Sequence, residues 1–477
     1  MYLPPAASRG LIRAVDAIQG RGVHRLYERL EAMQWWPSDR LRELQREKLA
    51  ARVRDAAERS PLMGRRLREA GVDPASVAGP EDLARVPILE REDLRERGEE
   101  LSARGLAPGE SLPNSTGGST GSNVAFLVDR ECWRWRDAID LRLWSFLGLE
   151  PGAKVATVWG APMDLDASRR LRERARLIVD NRRFFSAYRL DVAAVDRLLD
   201  WLARARPDVL MGYASVLDRL ARRGEERGGM ECARKILSSA EMLFPDQRAR
   251  IAKGLGGEVH DLYGCREVGL VALECPRHRG LHVMDERLIV ERLPGRGHGL
   301  PGEILVTDLD NRATPFLRYR IGDTALAPEE GPCPCGRGLS RIGGVGGRAF
   351  DVIQSGSGRA VGGTFWSLLL RTAVSGVETF RVVQQAPDCL EIRITPRGAL
   401  DEGKRAVVTA KVREALGEGM TVSFVEADAL EPLPSGKHRF VIALPSGGPE
   451  PAPPEPPERA VAAARGPAGG AAGGAAR

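Results

Sequence analysis

The chain has 477 residues, 43% hydrophobic and 29% charged, a mix that excludes wholesale disorder and leaves room for several domains of roughly 100–200 residues each. Lys and Arg number 71 against 65 Asp and Glu, and the resulting formal charge of +6 is interspersed along the chain. It suits an anionic small ligand as well as nucleic acid. Seven cysteines spread thinly do not make a disulfide framework, and no apolar run approaches the roughly 18 residues of a membrane span.

The first residues, MYLPPAASRGLIRAVDAIQGRG, lack a continuous apolar core and a cleavage site. No signal peptide is read, and a cytoplasmic, reducing location is expected. Residues 1–105 read as helices, because Leu26, Leu30, Met33, Leu41, Leu44 and Leu49 recur at near-helical spacing among Arg and Glu. Residues 71–80 form a Gly/Pro connector, and PILEREDLRERGEEL from Pro87 begins another amphipathic helix. From about Gly152 short apolar runs alternate with helices. KVATVWG, PDVLMGY, RKILSSAEML and EVHDLYG are strand-like, and residues 192–204 and 214–223 are helical. Such alternation implies βαβ units and a mostly parallel sheet. Residues 286–328 change character again: RLIVERL, GEILVTDL and RYRIGDTA are separated by Gly, Pro and Asp turns, the pattern of an antiparallel or barrel-like section.

After the Gly-rich RIGGVGGR a new pattern begins, with strands FRVVQQA, LEIRITP and TVSFVEA around a helix at residues 402–416. A domain boundary is placed near Phe350. The expected class is therefore α/β: a large N-terminal domain of parallel sheets with helices plus the barrel-like section, and a small C-terminal α+β domain. Residues 1–105 form the helical part of the large domain, 106–349 its core, and 350–446 the small domain. The Pro/Gly/Ala-rich tail 447–477 is expected to be disordered.

Two constellations carry chemistry. Between Asn114 and Ser122 stand five hydroxyl residues and three glycines. Glycines let the backbone approach a ligand closely, and successive N–H groups and hydroxyls can wrap phosphate oxygens. Taken alone, the run reads equally as a surface linker. It is not a Walker A loop, since no Gly-Lys-Ser/Thr follows. The second constellation is Cys275-x6-His282 with Cys333-x-Cys335, about fifty residues apart, with His278 as an alternative ligand. Three thiolates and an imidazole make a closed tetrahedral zinc shell; the competing reading is reduced cysteine without metal. His260 either approaches a ligand pocket or is a core histidine.

The loop Ser115-Thr116-Gly117-Gly118-Ser119-Thr120-Gly121 resembles the phosphate loop of adenylate-forming enzymes. SSAEML (238–243), YGCREVG (263–269), PFLRYRIGD (315–323) and LPSGKHRF (433–440) follow in that family's order. Together with ARVPILEREDL (84–94), they make the chain resemble the phenylacetate-CoA ligase branch and its capsular-polysaccharide-associated relatives over roughly residues 50–445. The resemblance implies that ATP lies on the loop 115–121, that Ala240, Glu241, Tyr263 and Gly264 join the nucleotide contacts, and that Glu267 holds Mg²⁺. Asp323 accepts the ribose hydroxyls, with Arg348 beside the same sugar. Arg266 stands where the family usually carries Ser or Thr, so a guanidinium replaces a hydroxyl near phosphate.

Lys437, on a Pro/Ser/Gly turn, would bridge the α-phosphate and the acid carboxylate. Because that ammonium cannot stay while a thiol enters, a mobile small domain is implied, hinged near Gly346, Gly347 and the Phe350–Asp351 step, where the family often carries two adjacent acids. Some members of the branch resemble zinc binders at the Cys/His positions. The implied activity is ATP-dependent adenylation of a carboxylic acid, then transfer to coenzyme A, with an amine or separate carrier protein as alternative acceptor. A silent relative in polysaccharide biosynthesis is the competing reading. A nucleic-acid binder finds no support, since no basic helix face or aromatic–basic interleaving is present.

Overall fold

The computed structural model describes residues 2–115, 124–159, 174–187, 191–294, 301–348, 353–361, 365–366, 369–370, 377–396, 401–427, 430 and 440–444. Met1–Leu444 and Pro445–Arg477 separate as two units, and the second, with the Pro/Gly/Ala-rich tail, lies outside the described residues. No helix among the described residues is long and apolar enough to cross a membrane.

Five helices open the chain: α1 (Pro5–Gln19), α2 (Val23–Met33), α3 (Ser38–Arg59), α4 (Pro61–Glu69) and α5 (Arg91–Leu101). Leu26, Leu30, Met33, Leu41 and Leu49 are buried, as their spacing predicts, and Leu44 is half-buried. Helix α5 starts four residues later than the periodicity predicts. Pro87 disfavours helix at its neighbour, and Leu89 is drawn into strand pairing instead. Its N–H donates to the Arg318 carbonyl at 3.2 Å, and its carbonyl accepts from Arg320 N–H at 2.9 Å. That graft seats the N-terminus of α5 against the sheet that carries the candidate site.

The strands follow as β1 (Ser111–Ser115), β2 (Ala125–Asp129), β3 (Val155–Trp159), β4 (Arg182–Ser186), β5 (Val209–Tyr213), β6 (Lys235–Ser239), β7 (Glu258–Cys265), β8 (Gly269–Glu274) and β9 (Leu281–Val283). After them come β10 (Leu288–Arg292), β11 (Gly302–Asp308), β12 (Tyr319–Leu326), β13 (Arg341–Ile342) and β14 (Gly344–Arg348). Helix α6 (Arg130–Phe146) follows β2. Among the described residues the largest sheet has eight strands, in the order β13-β9-β8-β7-β6-β5-β3-β4. Strands β3 to β7 are mutually parallel, and β8, β9 and β13 continue antiparallel.

Successive side chains on these strands alternate between two cores, as a twofold strand repeat requires. Val155, Val209 and Leu237 face α2 and α6, while Ala156, Leu210 and Ile236 face the helices Val192–Ala205, Ala214–Glu226 and Pro245–Leu255. β6 ends at Ser239, short of the predicted run, because Ala240 takes a left-handed backbone with φ of 66°. A second sheet, β10-β11-β12-β14, is antiparallel throughout. Towards the C-terminus the strands Val377–Ala386, Cys389–Pro396, Thr421–Glu426 and Val441–Ile442 form a mixed sheet. The helix Glu402–Leu416 shares with it a separate core including Phe380, Ile392, Val408 and Val412.

One buried charge network joins α6 to the second sheet. Asp308, at the end of β11, accepts from Arg287 at 2.8 Å, and Arg136 of α6 lies 3.7 Å away. All three are buried. Burial opposes ionisation of Asp308, yet Arg287, Arg136 and the N–H groups of Asp310 and Asn311 outweigh it and hold the carboxyl below its usual range. Removing one member of such a network leaves the others buried and uncompensated. Asp308→Ala is expected to cost about 3–5 kcal/mol of stability, read as a lower urea midpoint. The carboxylate's contribution is present above the unfolded value of about 3.9 and is lost as pH falls below it, through the depressed folded value. The wild-type advantage should therefore shrink in acid.

Candidate active site

The site lies where the β7–β8 hairpin of the large sheet meets β12 of the second. A register shift between Tyr263 and Gly264 kinks β7 just before the turn. A Cβ at Gly264 would lie 2.8 Å from the Gly269 carbonyl oxygen, so the hairpin closes this tightly only with glycine there. The turn buries Glu267 and leaves Arg266 exposed. Arg136 fixes the turn from behind, donating to the Glu267 carbonyl at 2.5 Å and the Arg266 carbonyl at 3.4 Å. Arg287 donates to the Val268 carbonyl, so the network around Asp308 also sets the backbone of Glu267.

Two tyrosine–carboxylate pairs cross between the sheets. Tyr263 Oη, on β7, donates to Asp323 Oδ2 at 2.9 Å, and Tyr319 Oη, on β12, donates to Glu267 Oε1 at 3.1 Å. Burial and the adjacent carboxylates push both phenols well above their usual range, so each stays protonated as a donor. Asp323 and Arg348 are register partners on β12 and β14, and Arg348 Nε stands 2.9 Å from Asp323 Oδ1. The carboxylate is thus gripped on both oxygens, each with a further lone pair to offer. Arg91, at the first turn of α5, reaches Glu267 Oε1 at 3.4 Å.

At the C-terminal ends of the parallel strands, Trp159 and Tyr213 lie with ring centroids 4.4 Å apart. Glu241, just past the Ala240 turn, accepts the N–H of Ser215 at 2.8 Å, at the start of the helix Ala214–Glu226. Strand ends of a parallel sheet are where open α/β folds receive ligands. Ser115 ends β1, in register with Ala125 at the start of β2. Thr116, Gly117, Gly118, Ser119, Thr120 and Gly121 lie outside the described residues, as do Phe350, Asp351 and Lys437.

The structure therefore brings Tyr263, Gly264, Glu267, Asp323 and Arg348 together. Arg91, Arg136, Arg287 and Tyr319, which sequence reasoning did not single out, support them. Their local sequence carries little signal, since each acts across a large sequence separation; an arginine in the first turn of α5, inside the ARVPILEREDL segment, was the one available hint.

The Cys/His constellation also assembles. Cys275, His282, Cys333 and Cys335 place their ligand atoms within 4.8 Å of one another. Cys275 and Cys333 sulfurs are 3.7 Å apart, and Cys335 Sγ is 3.4 Å from His282 Nε2. A tetrahedral ion with bonds of about 2.3 Å to sulfur and about 2.0 Å to nitrogen has edges of about 3.8 and 3.5 Å, so the donor set fits zinc. His282 turns Nδ1 toward the Leu339 carbonyl at 3.4 Å, which leaves Nε2 for the ion. Burial drops the imidazole to about 4 and pushes the Cys275 thiol up to about 12. The histidine is thus neutral at pH 7, and the thiol would ionise with a cation beside it. His278, the alternative ligand, turns away toward Glu258 and Glu274.

No protein-family model matches the chain. It is 26% identical over 415 residues to a phenylacetate-coenzyme A ligase of Thermus thermophilus, covering 82% of this chain and 87% of that protein. It is 24% identical over 369 residues to the protein CapK of Staphylococcus aureus, covering 76% and 80%. In fold it is similar to a 2-hydroxyisobutyryl-CoA ligase crystallised in the postadenylation state with R3-HIB-AMP. That likeness has a TM-score of 0.70 and 22% identity, and covers 86% of this chain and 91% of that one. The chain is thus similar in sequence to phenylacetate-coenzyme A ligases and to CapK, and shares the fold of the 2-hydroxyisobutyryl-CoA ligase.

Proposed function

We propose that the protein is an acid–thiol ligase: it joins a carboxylic acid to AMP at the expense of ATP, then passes the acyl group to coenzyme A. The observation that carries the reading is the crossed pair of tyrosine–carboxylate contacts, Tyr263–Asp323 and Tyr319–Glu267, which hold two buried acids at the junction of the two sheets. The curated relatives named phenylacetate-coenzyme A ligase support the same reaction. In the first half-reaction a carboxylate oxygen attacks the α-phosphorus of ATP and the bond to pyrophosphate breaks. In the second, a thiolate attacks the acyl carbon and AMP leaves with the bonding pair.

Asp323 accepts the two ribose hydroxyls on its outward lone pairs while Tyr263 and Arg348 keep it oriented. That fixes the nucleotide so that the α-phosphorus meets the acid in line. Glu267 is the residue that would hold Mg²⁺, which when bound offsets the charge of the triphosphate. Arg266, exposed on the hairpin turn, supplies positive charge toward the phosphates in place of a hydroxyl. The hydroxyls and N–H groups of residues 115–121 cradle the phosphate chain, and Ala240 and Glu241 line the nucleotide side of the strand ends. Lys437 bridges the α-phosphate and the acid, and the segment from residue 350 onward acts as the lid that carries it. The acid itself sits beside Trp159 and Tyr213.

Cys275, His282, Cys333 and Cys335 would hold a structural zinc ion, joining the chain after β8 to the loop before β13. Cys333→Ser should lower bound zinc by about one equivalent by elemental analysis and reduce the melting temperature. Zinc content equal to wild type would remove the assignment. The function itself is tested by pyrophosphate release over a panel of aryl and aliphatic acids. Release with one acid, followed by its coenzyme A thioester, supports the ligase.

A further inference from the structure

A second cluster of ligand-type side chains, separate from both sites above, is built at the start of β7. Glu258 and His260 lie on that strand, and His278 reaches back over them from the loop after β8. Their ligand atoms lie within 4.8 Å of one another. His260 Nε2 and His278 Nε2 each stand 3.3 Å from the same oxygen, Glu258 Oε1. A tetrahedral ion with bonds of about 2.0–2.1 Å to nitrogen and oxygen has edges of about 3.3–3.4 Å, which both contacts match.

The environment is that of a ligand site more than of a plain ion pair. His260 is fully buried, yet among the described residues neither of its ring nitrogens makes a hydrogen bond, and Nε2 has only the 3.3 Å ionic contact to Glu258 Oε1. Such an omission is costly unless something else occupies the lone pair. His278 sets its other nitrogen, Nδ1, 3.2 Å from Glu274 Oε1, with Arg248 Nη1 at a longer 3.5 Å. Glu274 is itself oriented by Arg248 at 2.8 Å and by the Asp261 N–H at 2.9 Å. A carboxylate behind the imidazole is the usual support of a metal-bound histidine, fixing the tautomer that presents Nε2. Lys235 engages the other oxygen of Glu258, leaving Oε1 for the two imidazoles.

We propose that Glu258, His260 and His278 bind a divalent transition-metal ion, zinc by their imidazole and carboxylate donors. The exposed His278 side leaves a fourth position for solvent. The ion would brace the beginning of β7 against the loop after β8, three residues before Tyr263 on the same strand. It is chemically distinct from the Cys/His centre because it contains no sulfur.

The two centres can therefore be told apart. Co²⁺ bound by thiolates absorbs strongly in the near ultraviolet, and Co²⁺ on nitrogen and oxygen does not. Full-length protein should be titrated with Zn²⁺, and separately with Co²⁺, as wild type and as His278→Asn. Asparagine tolerates the positive φ of 51° at this position, and the side chain is exposed, so the fold is kept. Wild type should take up one equivalent more than His278→Asn, with the thiolate band identical in both. Glu274→Gln should weaken that extra equivalent by about 10–100-fold. Equal stoichiometry and affinity in wild type and His278→Asn would overturn the proposal, whatever the Cys/His centre holds.

Discussion

Asp323→Ala lowers kcat/KM for ATP by about 10²–10⁴-fold, because two charge-assisted hydrogen bonds at about 1.5–3 kcal/mol each are lost with the ribose. The side chain sits at the strand register that faces Arg348, with Tyr263 on its other oxygen. Its geometry is therefore set before nucleotide arrives, and little ordering cost falls on binding. The cause can be isolated with 3′-deoxy-ATP. Wild type should discriminate strongly against it, whereas Asp323→Ala should treat the two nucleotides nearly alike, since the contact is already gone. If the variant still discriminates as wild type does, the ribose is held elsewhere. Thermal unfolding of the variant gives the control for Arg348 and Tyr263 left without their partner.

Lys437→Ala has the second large effect, and it falls on one half-reaction. Adenylation should drop by about 10²–10³-fold or more, the scale on which a single preorganised charge at a developing oxyanion acts. Nucleotide binding should survive, since the grip of Asp323 and Arg348 is untouched. Thioester formation from a supplied acyl-adenylate should also survive, because the thiolate attacks carbon and no pentacoordinate phosphorus is formed in that step. A variant with wild-type pyrophosphate release would show that another cation does this work. Arg91 and Arg266, both near Glu267, would then be the first to test.

Much of the scaffold was legible because its signals are local. The leucines of α2 and α3, the strands β3, β5 and β7, and the helix Glu402–Leu416 all follow from side-chain period and turn residues. The differences have tertiary causes. Leu89 leaves the helical pattern because β12 offers it backbone partners more than 200 residues away in sequence. β6 stops at Ser239 because Ala240 turns left-handed ahead of Glu241, whose carboxylate is engaged by Ser215. In the site, Tyr263, Glu267, Asp323 and Arg348 stand in short motifs that could be recognised one by one. Their supports could not: Arg136, Arg287 and Tyr319 act through contacts that no local spacing encodes. The Cys/His centre was half legible. Spacing picked its cysteines and His282 with His278 as the alternative, and the fold brings the first four together while His278 turns toward Glu258 and Glu274.

The account rests on nucleotide and acid meeting at the junction of the β7–β8 hairpin and β12. Its most direct test is acid-dependent exchange of labelled pyrophosphate into ATP, measured on wild type and Asp323→Ala over a panel of aryl and aliphatic carboxylic acids. The account predicts exchange with at least one acid in wild type and its loss by about 10²-fold or more in the variant. Wild-type protein that binds ATP yet exchanges no pyrophosphate with any acid of the panel would contradict it.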